Sequence, residues 1–363
     1  MSQRKTQNPV PLKIVVIGGG TGNSTVLSGL KPWVGDGLTA IVSAFDDGGG
    51  TGKLRDEYEG LLAVGDLNQC LVALSNSPKE ELELLRHRFH EGVKNGVLGL
   101  HGQTLGNLIL AAASQNNGGN FGEALRLVGR MFNITGKVLA SSHDNRRLQI
   151  TLPDGRVIKG EHEAEITELP SFKGAHMGFN KEPTRISEEA KQAIEEADMV
   201  VLAPGDLYTS LAPNLVVQGM TEALESANAV VLVCNLMNRS RHTVGFSALD
   251  YAKEYERIIG APVIDRVLYN TQAPDAASLK AQAKLGSHPV LADAEALQAA
   301  GYTPVGKDLM SRKAPIVSQD DALAATRSTI RHDPDQVALA LMGIYISTMA
   351  LPGKLHGSSS EYR

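Results

Sequence analysis

The chain has 363 residues, 42% of them hydrophobic and 21% charged, which suits a globular protein of two domains or one large α/β unit. Thirty-five basic residues against 40 acidic give a net charge of −5, without the cationic excess by which nucleic-acid binders displace counterions. Two cysteines, Cys70 and Cys234, lie far apart, which argues against a disulfide scaffold or a cysteine zinc site and for a reducing compartment.

Residues 1–10 lack the apolar core of a secretory signal. The first strand signal is the buried run 13–17, which leads into Gly18-Gly19-Gly20-Thr21-Gly22 and a helical stretch at 24–30. A second β-rich run, 38–45, ends in a loop reading Asp46-Asp47-Gly48-Gly49-Gly50-Thr51-Gly52-Lys53-Leu54-Arg55. Gly65-Asp66 then opens an apolar run to Leu74. Ser77-Pro78-Lys79-Glu80 predicts a helix start with Ser as N-cap and Glu closing a capping box. Residues 101–107 lead into another helix at 108–113.

From about Asn133 the texture changes. The runs 147–152 and 157–159 flank Pro153-Asp154-Gly155-Arg156 and read as two short strands around a turn. Residues 133–172 are therefore expected to form a small antiparallel excursion. Ala190, Ala193, Ile194 and Ala197 recur at helical spacing. Residues 199–203 read as a buried strand ending at Pro204-Gly205-Asp206, 214–226 as a helix, and 229–234 as a buried strand ending at Asn235. The longest apolar stretch, 337–351, is shorter than the roughly 18–20 residues that cross a bilayer. Residues 351–363 read as a disordered tail.

Uninterrupted apolar strands alternating with amphipathic helices predict a doubly wound, mainly parallel α/β sheet. The expected organisation is a nucleotide-binding core over 11–132 and 173–350, with 133–172 inserted. Ligands of such sheets bind outside the carboxyl ends of the strands, where glycine gathers here, 37 residues in all.

Common fingerprints fail. GxGxxG needs glycine at Asn23, or glycine or alanine at Thr25, and a Walker A loop needs glycine at Asp47 and serine or threonine at Leu54. Neither NAD nor flavin is expected. A strand, a glycine run and a helix start still place backbone N–H groups at a positive helix end, which suits phosphate. The alternative is a tight turn packing helix on strand. Asp46, Asp47 and Asp66 are hard oxygen ligands for Mg²⁺, and Lys53 and Arg55 suit diphosphate charge; each alone is also an ordinary turn or cap residue. His87 and His90, three apart on a charged helix, have the spacing to share a metal but read better as a solvated face. No GxSxG or HExxH occurs, and no base is evident near Cys70, which reads as a buried structural thiol.

Seven short motifs, in order, carry a resemblance. They are Val16-Ile17-Gly18-Gly19-Gly20-Thr21-Gly22, Asp46-Asp47-Gly48-Gly49, Gly65-Asp66 with Cys70-Leu71-Val72-Ala73-Leu74, Leu105-Gly106-Asn107-Leu108, Pro204-Gly205-Asp206-Leu207-Tyr208-Thr209-Ser210 with Pro213-Asn214-Leu215, Cys234-Asn235-Leu236-Met237, and Arg331-His332-Asp333-Pro334. From about Lys13 to Met342 the chain resembles the gluconeogenesis factors, of the superfamily that contains 2-phospho-L-lactate transferase. The resemblance implies a Rossmann-like fold and a UDP-sugar ligand such as UDP-N-acetylglucosamine. It further implies a cytoplasmic role in carbon metabolism, cell shape and envelope synthesis, with a protein partner in that synthesis, and it leaves a homo-oligomer open. The transferase branch would instead pass phospholactate from a guanosine diphosphate donor, using Mg²⁺. Carried over, the acids are Asp47 and Asp66, with Asp46 as a third candidate. The ligand contacts are Gly19, Gly20, Thr21, Gly22, Lys53, Arg55, Asn107, Gly205, Tyr208, Thr209, Ser210, Asn214, Asn235 and Arg331.

The chain departs from the family pattern at Gly50-Thr51, at Ala63-Val64, at Asn68-Gln69 and at Arg239-Ser240-Arg241-His242, and it carries Gln282 where a tyrosine is usual. Altered sugar specificity is expected. With 4% aromatic residues, the chain has few rings for stacking a deazaflavin, which weighs against the phospholactate reaction.

Overall fold

The computed structural model describes residues 11–57, 61–89, 100, 102–169, 171–313 and 328–350. Its strands are β1 (Ile14–Gly18), β2 (Leu38–Val42), β3 (Lys137–Ala140), β4 (Leu148–Thr151), β5 (Val157–Lys159), β6 (His176–Phe179), β7 (Met199–Leu202), β8 (Val230–Val233), β9 (Arg266–Asn270) and β10 (Thr303–Lys307). Seven of them form one sheet in the order β10-β9-β8-β7-β1-β2-β3, every neighbouring pair parallel. The expected doubly wound α/β architecture is therefore present. A second, antiparallel sheet has the order β5-β4-β6.

β1, β2, β7 and β8 are buried along their whole length because their side chains alternate between two apolar layers. Val15, Ile17, Val200, Leu202, Val230 and Leu232 enter one core cluster, while Ile14, Val16, Met199, Val201, Val231 and Val233 enter the other. Helices cover both: α1 (Gly20–Val34), α2 (Gly49–Glu57), α3 (Gly65–Leu74), α4 (Lys79–Arg86), α5 (Leu105–Asn116), α6 (Phe121–Met131), α7 (Glu161–Ile166), α8 (Glu188–Glu195), α9 (Ala212–Leu215), α10 (Met220–Ser226), α11 (Ala248–Ile259), α12 (Ala276–Lys284), α13 (Ala294–Ala299) and α14 (Pro334–Ala350). On α1, Val26, Leu27 and Leu30 are fully buried, each contributing about 2 kcal/mol.

β1 lies between β2 and β7, so the direction of winding reverses there. Such a topological switch point, here beside Gly18 and Ala203, is where open α/β sheets take their ligands. β3 pairs with β2, so the large sheet reaches into the 133–172 segment, while the small sheet takes its third strand, β6, from beyond it.

Several local expectations need correction. The stretch after Asp46-Asp47 is not loop throughout: it is helical from Gly49. Ser77 closes no capping box, since α4 is capped by Pro78 without a side-chain bond and the Ser77 hydroxyl turns to the Phe132 carbonyl. The 214–226 helix is two helices, interrupted where Gly219 adopts φ +94°. His87 lies beyond α4, and His90, the N-terminal stretch 1–10 and the 351–363 tail lie outside the described residues. Among the described residues no helix is long and apolar enough to cross a membrane.

Candidate functional site

At the switch point the chain leaves β1 through Gly19 and enters α1 with Gly20 at φ +59°, a left-handed conformation that favours glycine. No side chain caps α1, and its first turn holds no acid. Its leading N–H groups are orphaned by the helix geometry and carry the positive end of the macrodipole. Thr21 is exposed on this turn. The neighbours are tightly set. A Cβ on Gly22 would lie 1.7 Å from the Pro204 carbonyl oxygen, and one on Gly19 would lie 2.2 Å from Asp66 Oδ2 and 3.4 Å from the Ser210 carbonyl oxygen. Gly22 therefore serves the tight-packing alternative as well, seating α1 on the loop after β7.

That loop is itself braced. Asn235 pairs with the Gly205 peptide in both directions, accepting from its N–H at 3.1 Å and donating to its carbonyl at 2.7 Å. Asp206 caps the next turn through the Tyr208 and Thr209 N–H groups and pairs with Arg239. Burial pushes its carboxyl up, but Arg239 and His242 outweigh that and hold it below the usual range. Leu207–Leu211 form one π-turn, a form that recurs at functional sites. Within and after it, Thr209 Oγ1 and Asn214 Oδ1 are buried with no hydrogen-bond partner among the described residues.

Acid gathers opposite. The Asp46 carboxyl, pushed up to about 7 by burial and by facing Asp66, Glu165 and Asp47, accepts the Gly48 N–H at 2.6 Å. Glu161, on α7, is likewise pushed up by burial and by Asp46, Asp66, Glu165 and Asp206. Asp66 stands in the first turn of α3, against the start of α1. Among the described residues no three His, Cys, Asp or Glu side chains converge as ligands of one metal ion. Two facing carboxylates, Asp46 and Asp66, still fit Mg²⁺, which is commonly held by one or two carboxylates with phosphate oxygens and water completing the shell.

The predicted residues separate into two groups. Gly19, Gly20, Thr21, Gly22, Gly205, Ser210, Asn235, Asp46 and Asp66 meet at the switch point. Asn107 stands in the first turn of α5, whose Gly106 packs on Asn68 of α3, and its Oδ1 is buried without a partner among the described residues. Arg331 lies next to His332, whose Nε2 meets the Cys234 carbonyl at 3.2 Å and whose pKa burial lowers to about 4.

The second group is placed elsewhere. Arg55, expected at the phosphates, is buried and donates to the Phe45, Asp46 and Arg146 carbonyls and to Asn145 Oδ1 at 2.7–2.9 Å. It clamps the end of the β2 segment to the small sheet. Tyr208 is fully buried, with its hydroxyl bound to Glu254 at 2.9 Å. Asp47 points to the small sheet, accepting from Arg147 at 3.4 Å and from the His162 N–H at 3.0 Å. The side chain of Lys53 lies outside the described residues.

Sequence reasoning missed Glu161 and Glu165, because acids four apart on a short charged helix read as a solvated face. It also missed the Asp206–Arg239 pair, whose members lie 33 residues apart.

Two predictions arise here. Replacing Arg55 with methionine leaves four oxygens unpaired and is expected to cost about 3 kcal/mol, measured by urea denaturation. The second concerns Asp46. Its folded pKa lies above the unfolded value, so its stabilising contribution is present below about pH 4 and is lost as pH rises to about 7. Asp46→Asn should therefore gain stability relative to the parent across that window, by at most roughly 4 kcal/mol, and level off above it. Denaturation from pH 4 to 8 with a chelator checks this.

The chain is similar to known proteins over most of its length. The model of the 2-phospho-L-lactate transferase CofD family matches residues 14–310. The gluconeogenesis factor of Bacillus subtilis is 34% identical over 92% of this chain and 98% of its own length. That of Halalkalibacterium halodurans is 33% identical over 91% of this chain and 95% of its own. The crystal structure of protein BH3568 from Bacillus halodurans superposes with a TM-score of 0.80 at 30% identity, covering 92% of this chain and all of that one. By the family match over residues 14–310 and by these relatives, the chain belongs to the CofD family, alongside the gluconeogenesis factors.

Proposed function

We propose that the protein binds a nucleotide-diphosphate sugar of the UDP-N-acetylglucosamine type and acts as a cytoplasmic regulator linking carbon metabolism to cell shape and envelope synthesis, through a protein partner. One observation carries this reading: a carboxylate, Asp66, stands against the uncapped N-terminus of α1. A positive helix end favours an anion, and a carboxylate beside it favours a cation; a Mg²⁺-bound diphosphate satisfies both. In this arrangement the N–H groups of residues 20–22 hold phosphate oxygens and the Thr21 hydroxyl adds a donor. Asp46 and Asp66 hold Mg²⁺, which supplies charge neutralisation at the diphosphate. Asn235 keeps the Gly205 loop at the distance that leaves the crevice open, and Asp47 with Arg147 fixes the small sheet above it. The regulatory role rests on the gluconeogenesis-factor relatives.

The family match favours a second reading, a transferase acting on a nucleotide diphosphate donor. Calorimetric titration with UDP-N-acetylglucosamine, UDP-glucose, GDP and NAD, followed by mass spectrometry of the recovered ligand, separates the readings. The regulator binds UDP-sugars at micromolar concentration and returns them intact. Release of free nucleotide would move the protein to the transferase reading, and NAD as the preferred ligand would overturn both.

A further inference from the structure

β10 is the last strand of the large sheet, four strands from β1 and so roughly 19 Å from the switch point. Thr303, Val305 and Lys307 share one face of it, the face on which Arg266, Leu268 and Asn270 of β9 stand in register. α14 covers that face of β9 but not of β10. Leu268 is fully buried in one cluster with Leu341 and Ile344, while Val305 is only partly buried. Between strand and helix lies a groove of about 510 Å³, walled by Leu339, Ala340, Gly343 and Ile344, a volume within the usual range for small-molecule sites.

Charge stands at the ends of this groove. Arg266 lines one end and is only 7% exposed. Among the described residues its guanidinium forms no ion pair and meets one partner, the Thr348 hydroxyl near the end of α14. A guanidinium has five N–H donors, and a buried charge is costly without an opposite charge beside it. Lys307 stands at the other end, four residues along the strand and roughly 13 Å away. Asp308 beside it is already engaged, accepting from the Met310 N–H and pairing with Arg312.

We propose that this groove binds an aliphatic carboxylic acid, with the carboxylate on Arg266 and the chain lying past Val305 and Gly343 toward Lys307. A planar carboxylate can take two parallel N–H bonds from a guanidinium. The C-terminal end of α14 already sets roughly half a negative charge near Arg266. A single carboxylate is balanced there, whereas a phosphate dianion brings more charge than the site offsets. The walls include no aromatic ring on which a nucleotide base could stack. Gly343 widens the groove midway, with open space where its Cβ would be, although glycine inside a helix costs about 1 kcal/mol relative to alanine.

Calorimetric titration of the full chain with decanoate, whose extended chain matches the length between Arg266 and Lys307, tests this. The parent is expected to bind one decanoate per chain at micromolar concentration. Decanol, with the same chain and no charge, should bind about 30-fold more weakly, and Arg266→Gln should weaken decanoate by a similar factor. Gly343→Leu, which fills the groove, should abolish decanoate binding while its circular dichroism spectrum and its UDP-N-acetylglucosamine affinity stay those of the parent. No saturable decanoate binding, decanol binding as tightly as decanoate, a preference for decyl phosphate, or parental decanoate affinity in Gly343→Leu would each overturn the proposal. Should Arg266→Gln fail to fold, Gly343→Leu and the comparison with decanol decide.

Discussion

Gly22→Ala is expected to lower stability by about 3 kcal/mol or more and to abolish nucleotide-sugar binding, although alanine is the better helix former. The added Cβ would meet the Pro204 carbonyl oxygen at 1.7 Å. Both contacting groups are backbone, so no side chain can rotate away. α1 would have to lift off the loop after β7, taking its N–H groups from the crevice. That loop cannot follow freely, because Asn235 holds Gly205 by two hydrogen bonds. Urea denaturation reads the stability, and a shifted midpoint with an unchanged slope is expected. A variant as stable as the parent would show that the α1–Pro204 contact gives way easily.

The second large effect is a change of sign. With Mg²⁺ present, Asp66→Asn is expected to weaken UDP-N-acetylglucosamine binding roughly 30-fold, about 2 kcal/mol, because one of two cation-holding carboxylates is lost. Without Mg²⁺ the same variant is expected to bind more tightly than the parent. A carboxylate beside the start of α1 repels phosphate when no cation lies between them, and asparagine removes that repulsion at the same size. Calorimetry with Mg²⁺ and with a chelator gives the four affinities. Weakening of equal size in both conditions would show that Asp66 acts through structure and not through a cation.

Much of the fold was legible where one physical signal dominates. Runs such as Ile14-Val15-Val16-Ile17 and Val230-Val231-Leu232-Val233 are apolar at every position, short and rich in β-branched residues, which marks a strand buried on both faces. β9 and β10 were not legible. β9 starts on Arg266 and ends on Asn270, so its apolar run is only three residues long. β10 reads Thr303-Pro304-Val305-Gly306-Lys307, whose proline and glycine mark a turn in a sequence but are tolerated on a sheet edge. α2 was hidden by its opening glycines, which are poor helix formers.

For the site, the sequence indicated the place better than the roles. The glycine loops and Asp66 do meet at the switch point, because strand ends fix where loops go. The protein partners of Arg55 and Tyr208 were hidden because they are distant in sequence: Asn145 and Arg146 for one, Glu254 for the other. A cation beside a glycine loop looks the same in sequence whether it meets phosphate or a set of carbonyls. The bond from the His162 N–H to Asp47 was hidden similarly, since α7 begins more than 100 residues later.

The central claim is that a diphosphate sits on the N-terminus of α1, and amide NMR tests it most directly. On adding UDP-N-acetylglucosamine with Mg²⁺ to the full chain, the N–H signals of Gly20, Thr21 and Gly22 should move most, with Gly205 and Ser210 following. Saturable binding that leaves those three amides unmoved, or no binding at millimolar ligand, would contradict the account.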